Sequence, residues 1–72
     1  MNAHPILLQK KYTRIVALFA KKNHLTLPKA LDLFYRSQLY VLIRKGVSDL
    51  HCMSDEYLVE ELEDEVKNKS IN

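Results

Sequence analysis

Gly46, Pro5 and Pro28 are the only glycine and prolines in this 72-residue chain. So few turn residues leave little room for a meander of short strands, and favour a few helices joined by short connections. The apolar spacing agrees. Leu8, Tyr12, Ile15, Val16 and Phe19 fall at i, i+4, i+7, i+8 and i+11, one stripe of a 3.6-residue period. Pro5 suits the first turn of that helix, where a missing N–H costs nothing. The sequence therefore predicts a helix over about 5–22 that stops near Asn23, a tolerable left-handed terminator.

Thr26 reads as the next N-cap, with Pro28 in the first turn of a second helix over 27–37. Its predicted buried face is Leu27, Ala30, Leu31 and Phe34. Residues 39–43, Leu-Tyr-Val-Leu-Ile, fit a buried strand or a short buried helix, and periodicity does not separate the two. No second strand-like run exists to pair with them, and a lone strand would leave its backbone groups unpaired. A helix over 39–45 ending at Gly46 is the predicted form; a strand would imply pairing with another chain. After a linker over 47–53 comes the last helix, 55–67. Ser54 is its N-cap, Asp55 and Glu56 suit its positive end, and Met53 and Leu58 stand where a hydrophobic staple would place them. Leu58, Leu62 and Val66 form its apolar stripe, widened by Tyr57 and Val59. Residues 1–4 and 68–72 are expected to fray. The predicted fold is all-α: a compact bundle of about four short helices in one small domain.

At this length a core supplies roughly 3–5 kcal/mol of net stability, so a partner or a second copy is an expected complement. A hydrophobic fraction of 47% excludes disorder along the whole length. One cysteine, Cys52, makes no internal disulfide and fits a reducing, cytoplasmic setting. No apolar run approaches the roughly 20 residues that span a bilayer. Ile6, Leu7 and Leu8 give way at once to Gln9, Lys10 and Lys11, so no leader and no membrane partner are expected.

The net charge of +2 hides a segregated layout. Residues 1–53 carry nine Lys or Arg against Asp32 and Asp49, whereas residues 54–72 carry seven acids against Lys67 and Lys69. Glu60, Glu61, Asp64 and Glu65 of the last helix read first as a solvated face and second as a docking surface for a basic partner. Lys10, Lys11, Arg14, Lys21 and Lys22 have the chemistry for phosphates, but pairing with the acidic last helix is the preferred reading. The second and third helices have the outline of a helix-turn-helix, yet residues 39–43 carry no side chains to read base edges.

His51 and Cys52 are adjacent, which suits one metal ion poorly, and the usual ligand spacings are absent. His4 and His24 are too distant in sequence to complete a site by spacing. His51 is expected to bond local backbone or cap the preceding turn, and with Ser54 it reads as structural linker and cap. No catalytic residue, metal ligand or cofactor is predicted, and the chain is not read as an enzyme. Aromatic residues coincide mostly with the apolar stripes; Tyr35 and Tyr40 are the exceptions, placed at the core margin where an exposed ring anchors a partner.

The order of these motifs resembles a known pattern. Leu25-Thr26-Leu27-Pro28-Lys29-Ala30-Leu31-Asp32-Leu33-Phe34, the apolar segment, Leu50-His51, Ser54 and Glu56-Tyr57-Leu58-Val59-Glu60-Glu61-Leu62 together resemble a family of very short bacterial helical domains of unknown function. The resemblance covers about residues 10–66, and departs from the pattern at Cys52-Met53. Genes of that family often lie beside genes for domains resembling ADP-ribosyltransferases. The resemblance implies a non-catalytic interaction module, an antitoxin-like or accessory partner of such a toxin-type domain. Tyr35, Tyr40, Glu60, Glu61 and Asp64 are the predicted partner-binding residues. A small nucleic-acid-binding transcriptional regulator is the alternative.

Overall fold

The computed structural model describes the backbone of residues 5–70 and the side chains of residues 6–68. Four α-helices follow one another: α1 (Pro5–Asn23), α2 (Leu27–Tyr35), α3 (Gln38–Arg44) and α4 (Asp55–Ser70), with a 3₁₀ segment at Val47–Cys52 between the last two. No strand occurs among the described residues, so the fold is all-α. Helix α1 is the central element and packs on α4 and α2, while α3 packs beneath them. Ile15, Val16, Phe19 and Ala20 of α1 meet Ala30 and Phe34 of α2, Leu39 and Ile43 of α3, and Leu58, Val59 and Leu62 of α4 in one core.

Local chemistry sets each boundary. Helix α1 runs through Asn23, one residue beyond the predicted end, and His24 rather than Asn23 takes the left-handed conformation at φ 54°. The Leu25 N–H then donates to the Ala20 carbonyl (2.9 Å), closing the helix as a Schellman turn does. Thr26 caps α2, its Oγ1 accepting from the Lys29 N–H at 3.3 Å, with Pro28 in the first turn. Helix α2 ends at Tyr35, two residues before its predicted end, because Ser37 already caps the next helix.

Residues 39–43 lie within α3. The Ser37 Oγ accepts from the Tyr40 N–H (3.1 Å) and its hydroxyl donates to the Phe34 carbonyl, so this buried serine is fully used. A second cap comes from far along the chain: the Glu65 carboxylate accepts from the N–H groups of Gln38 (2.6 Å) and Leu39 (3.1 Å). A seven-residue helix is marginal alone, and these acceptors satisfy donors that its first turn would otherwise leave unpaired. Gly46, at φ 73°, ends α3, its N–H donating to the Ile43 carbonyl at 3.0 Å.

The predicted linker is a 3₁₀ segment that contains Ser48 and Asp49 at φ 52° and 51°, two successive left-handed residues without glycine. The fourth helix starts as predicted: Ser54 Oγ accepts from the Tyr57 N–H at 3.1 Å. It does not stop at 67. The helix continues through residues 68–70, which were expected to fray. Residues 1–4, 71 and 72, also expected to fray, lie outside the described residues.

Replacing Glu65 with Ala should remove the carboxylate cap and cost about 1–2 kcal/mol. A melt followed by circular dichroism would register this as a fall of roughly 4–16 °C for a domain of this size. Gln, which keeps one acceptor oxygen, should fall less. A melting temperature unchanged by Glu65→Ala would remove the cap from the account of why α3 forms.

Candidate interaction surface

The narrow second helix decides what the molecule shows to its surroundings. Ala30 and Phe34 are fully buried, and Leu33 packs at the core edge. Leu27 and Leu31, predicted for that same buried face, are instead 60% and 43% exposed, and Tyr35 is 48% exposed. The reason is angular. The core takes the row containing residues 30, 33, 34 and 37. Leu27, Leu31 and Tyr35, at i, i+4 and i+8, form a neighbouring row turned toward solvent. The signal was present in the sequence as that spacing, but α2 carries more apolar residues than one face of nine residues can bury.

Beside this row lies a depression of about 240 Å³ between α1 and α2, lined by Gln9, Tyr12, Thr13, Leu31 and Tyr35. Gln9 and Thr13 also border a second shallow depression with Ile6, Lys10 and Arg14. The two share α1 residues and make one continuous face. Thr13 spends its hydroxyl on the Gln9 carbonyl (3.0 Å).

Tyr40 does not stand exposed beside Tyr35. It is half-buried, packed edge-on at 4.8 Å against Tyr35 and at 5.4 Å against both Tyr12 and Phe34, with the Arg44 guanidinium 5.6 Å from its ring centre. Tyr40 thus braces Tyr35 from behind. The Tyr12 hydroxyl is buried in this cluster and finds no hydrogen-bond partner among the described residues. Burial pushes the Tyr12 phenol above its ordinary pKa, Tyr40 and Tyr35 add to the rise, and Arg44 opposes it.

The acidic helix faces elsewhere. Asp55 binds α1, with Lys11 Nζ 2.7 Å from Oδ1 and Arg14 Nε 3.0 Å from Oδ2, and the Lys11 ammonium also donates to the Met53 carbonyl. Glu63 lies 3.6 Å from Lys22 and accepts from the Asn23 amide at 2.8 Å. Among the described residues Glu60 and Asp64 make no ion pair, and Glu61 meets only the Tyr57 hydroxyl at 3.5 Å. All three are exposed on the outer side of α4. Among the described residues no hydrogen bond, ion pair or ring contact joins them to Tyr35 and Tyr40.

Burial pushes the Asp55 carboxyl up, but the hydrogen bonds and charges of Lys11 and Arg14 outweigh it and hold the group below its ordinary value. Half-buried His51 lines a shallow groove of about 220 Å³ with Leu7, Leu8, Lys10, Lys11 and Arg14. Its imidazole makes no hydrogen bond among the described residues, so it neither bonds local backbone nor caps a turn as the sequence suggested. Cys52 is an exposed free thiol. No three His, Cys, Asp or Glu side chains among the described residues come together as ion ligands, and no described helix is long and apolar enough to cross a membrane. Comparison with protein-family models, with curated proteins and with solved structures finds no match to this chain.

Two outcomes test this electrostatic and packing description. Asp55→Asn should lower stability by about 1 kcal/mol at neutral pH. A depressed carboxyl stabilises the fold above its unfolded pKa and loses that contribution as pH falls through the folded one. The gap between the two proteins should therefore close in acid, below about pH 4. A gap that persists unchanged to pH 2 would refute it. Tyr12→Phe removes a buried hydroxyl with no partner and should raise the melting temperature, by about 1 kcal/mol of stability. Because the Tyr12 pKa is raised, the parent should lose stability as pH climbs above about 10 and the variant less so. A variant less stable than the parent at pH 7 would show that the hydroxyl has a partner.

Proposed function

We propose that this chain is a non-catalytic protein-interaction module, acting in the bacterial cytoplasm as an antitoxin-like or accessory partner of a neighbouring toxin-type domain. The observation that carries the proposal is the exposed row Leu27, Leu31 and Tyr35. Three large apolar side chains at one helical spacing, next to a depression, make a patch that scattered surface leucines do not. Tyr35 suits an anchoring role because Tyr40 and Phe34 hold its ring from behind, so little side-chain entropy is lost on docking. The motif order supports a partner resembling an ADP-ribosyltransferase, since that is the genetic neighbour the resemblance implies. Glu60, Glu61 and Asp64, which pair with no cation among the described residues, are a second contact for basic residues of the same partner.

The rival reading as a nucleic-acid-binding regulator draws less support. Lys11 and Lys22 are engaged by Asp55 and Glu63, and α3 buries Leu39 and Ile43 rather than offering a face to a groove.

Co-expression with the product of the adjacent gene, followed by size exclusion at moderate salt, is the test. The expected result is a stable complex that Leu31→Asp weakens at least tenfold, since the row would then bury an unpaired carboxylate. Separate elution of two folded proteins would end the proposal.

A further inference from the structure

The face across α1 and α2 carries one sign of charge at its edge, and that identifies its occupant. Ile6, Leu31 and Tyr35 supply exposed apolar surface on either side of Gln9 and Thr13, with Leu27 continuing the row along α2. Lys10 borders the face and pairs with no acid among the described residues. Arg14 borders it too; its Nε is held by Asp55, yet its side chain is 56% exposed. No carboxylate lines either depression. The nearest acid along the α2 row, Asp32, lies 3.8 Å from Arg36 and is thereby matched.

We propose that this face receives an amphipathic helix of a partner protein, with apolar residues at i, i+3 or i+4, and i+7 and acidic residues flanking them. The inference rests on the interaction reading above and names the chemistry of its partner. The row from Leu27 to Tyr35 is about 12 Å long at the helical rise, which matches a contact with two to three turns of helix. The apolar stripe of the incoming helix covers Leu27, Leu31, Tyr35 and Ile6, and its carboxylates meet Lys10 and Arg14. The Gln9 amide, which has no hydrogen-bond partner among the described residues, is placed to bond the occupant's polar edge.

A second copy of this chain fits the face poorly. Its own acidic helix has already spent Leu58, Val59 and Leu62 on the core, each 0% exposed, and offers only Tyr57 among carboxylates. Such a surface has the charge but not the apolar stripe. It would also make a head-to-tail contact between different faces, which grows into open chains unless a ring closes. A nucleic acid has the charge but would leave the apolar row uncovered.

Three synthetic peptides of equal length test the proposal against the folded protein by NMR chemical-shift mapping and titration. The first has a leucine stripe flanked by glutamates, the second the same stripe flanked by lysines, and the third the composition of the first in scrambled order. The first should bind at low salt, shift the amides around Gln9, Lys10, Thr13, Leu31 and Tyr35, and weaken as salt rises. The other two should bind at least tenfold more weakly. Lys10→Glu and Leu31→Asp, both at exposed positions, should each weaken the first peptide about tenfold or more while the spectrum stays that of the folded protein. Several results would overturn the assignment: equal affinity for the acidic and basic peptides, shifts confined to α4, no binding by any peptide, concentration-dependent shifts on this face in protein alone, or stronger shifts there with a DNA duplex. The two readings fail separately. A co-purified complex whose protected amides lie on α4 keeps the interaction reading and removes this one. An acidic peptide that binds here when the adjacent gene product does not removes the toxin-partner reading and keeps this one.

Discussion

The packing of this protein centres on α1, the helix against which both α4 and α2 are laid, while α3 closes the core from α4 and α2. Helices of nine and seven residues are too short to persist alone in water, since nucleation costs more than so few hydrogen bonds return. They form because they close one shared core, to which the longest helix contributes the apolar stripe Ile15, Val16, Phe19 and Ala20. Phe34, Ile43, Leu58 and Leu62 then lose nearly all contact with water against it. Each such side chain contributes on the order of 1.5–3 kcal/mol by leaving water, which the ordering of the chain largely offsets.

The charge segregation of the sequence becomes cohesion rather than display at several of its acids. Asp55 ties the start of α4 to Lys11 and Arg14, and Glu63 ties its middle to Lys22 and Asn23. Glu65 reaches the first turn of α3. These three acids lie at eight- and two-residue intervals on the same helix; two of them meet α1 and the third meets α3. Surface pairs of this kind contribute little individually, but a carboxylate on helix N–H groups also satisfies donors that no backbone partner reaches. Of the acids left over, Glu60 and Asp64 are exposed and hold charge without an ion-pair partner among the described residues.

The apolar row on α2 arises from the same packing. Only Ala30 and Phe34 of α2 are fully buried, and a nine-residue helix with five aliphatic or aromatic positions beyond Ala30 has more apolar surface than that face accepts. Leu27, Leu31 and Tyr35 are the excess. Phe34 and Tyr40 pack against the Tyr35 ring, so the excess is presented as a shaped surface beside Gln9 and Thr13. A loosely held leucine row would be a liability to aggregation; a braced one has the character of a docking face.

Much of this was legible in the residues. The period of α1, the caps Thr26 and Ser54, the stop at Gly46 and the all-helical class all follow from local rules: spacing, side-chain acceptors and tolerance of positive φ. For residues 39–43 the want of a strand partner points to a helix, and the Ser37 cap supplies the local reason. Three features were beyond a local reading. Glu65 caps α3 across 26 residues of sequence. Tyr40 turns inward onto Tyr35, and Leu27 and Leu31 turn outward although they fit the buried period. Local chemistry determines which backbone groups each residue can satisfy, so it determined the helices. Which side of a short helix is buried depends on how closely its neighbour approaches, and that distance exists only once the helices have packed.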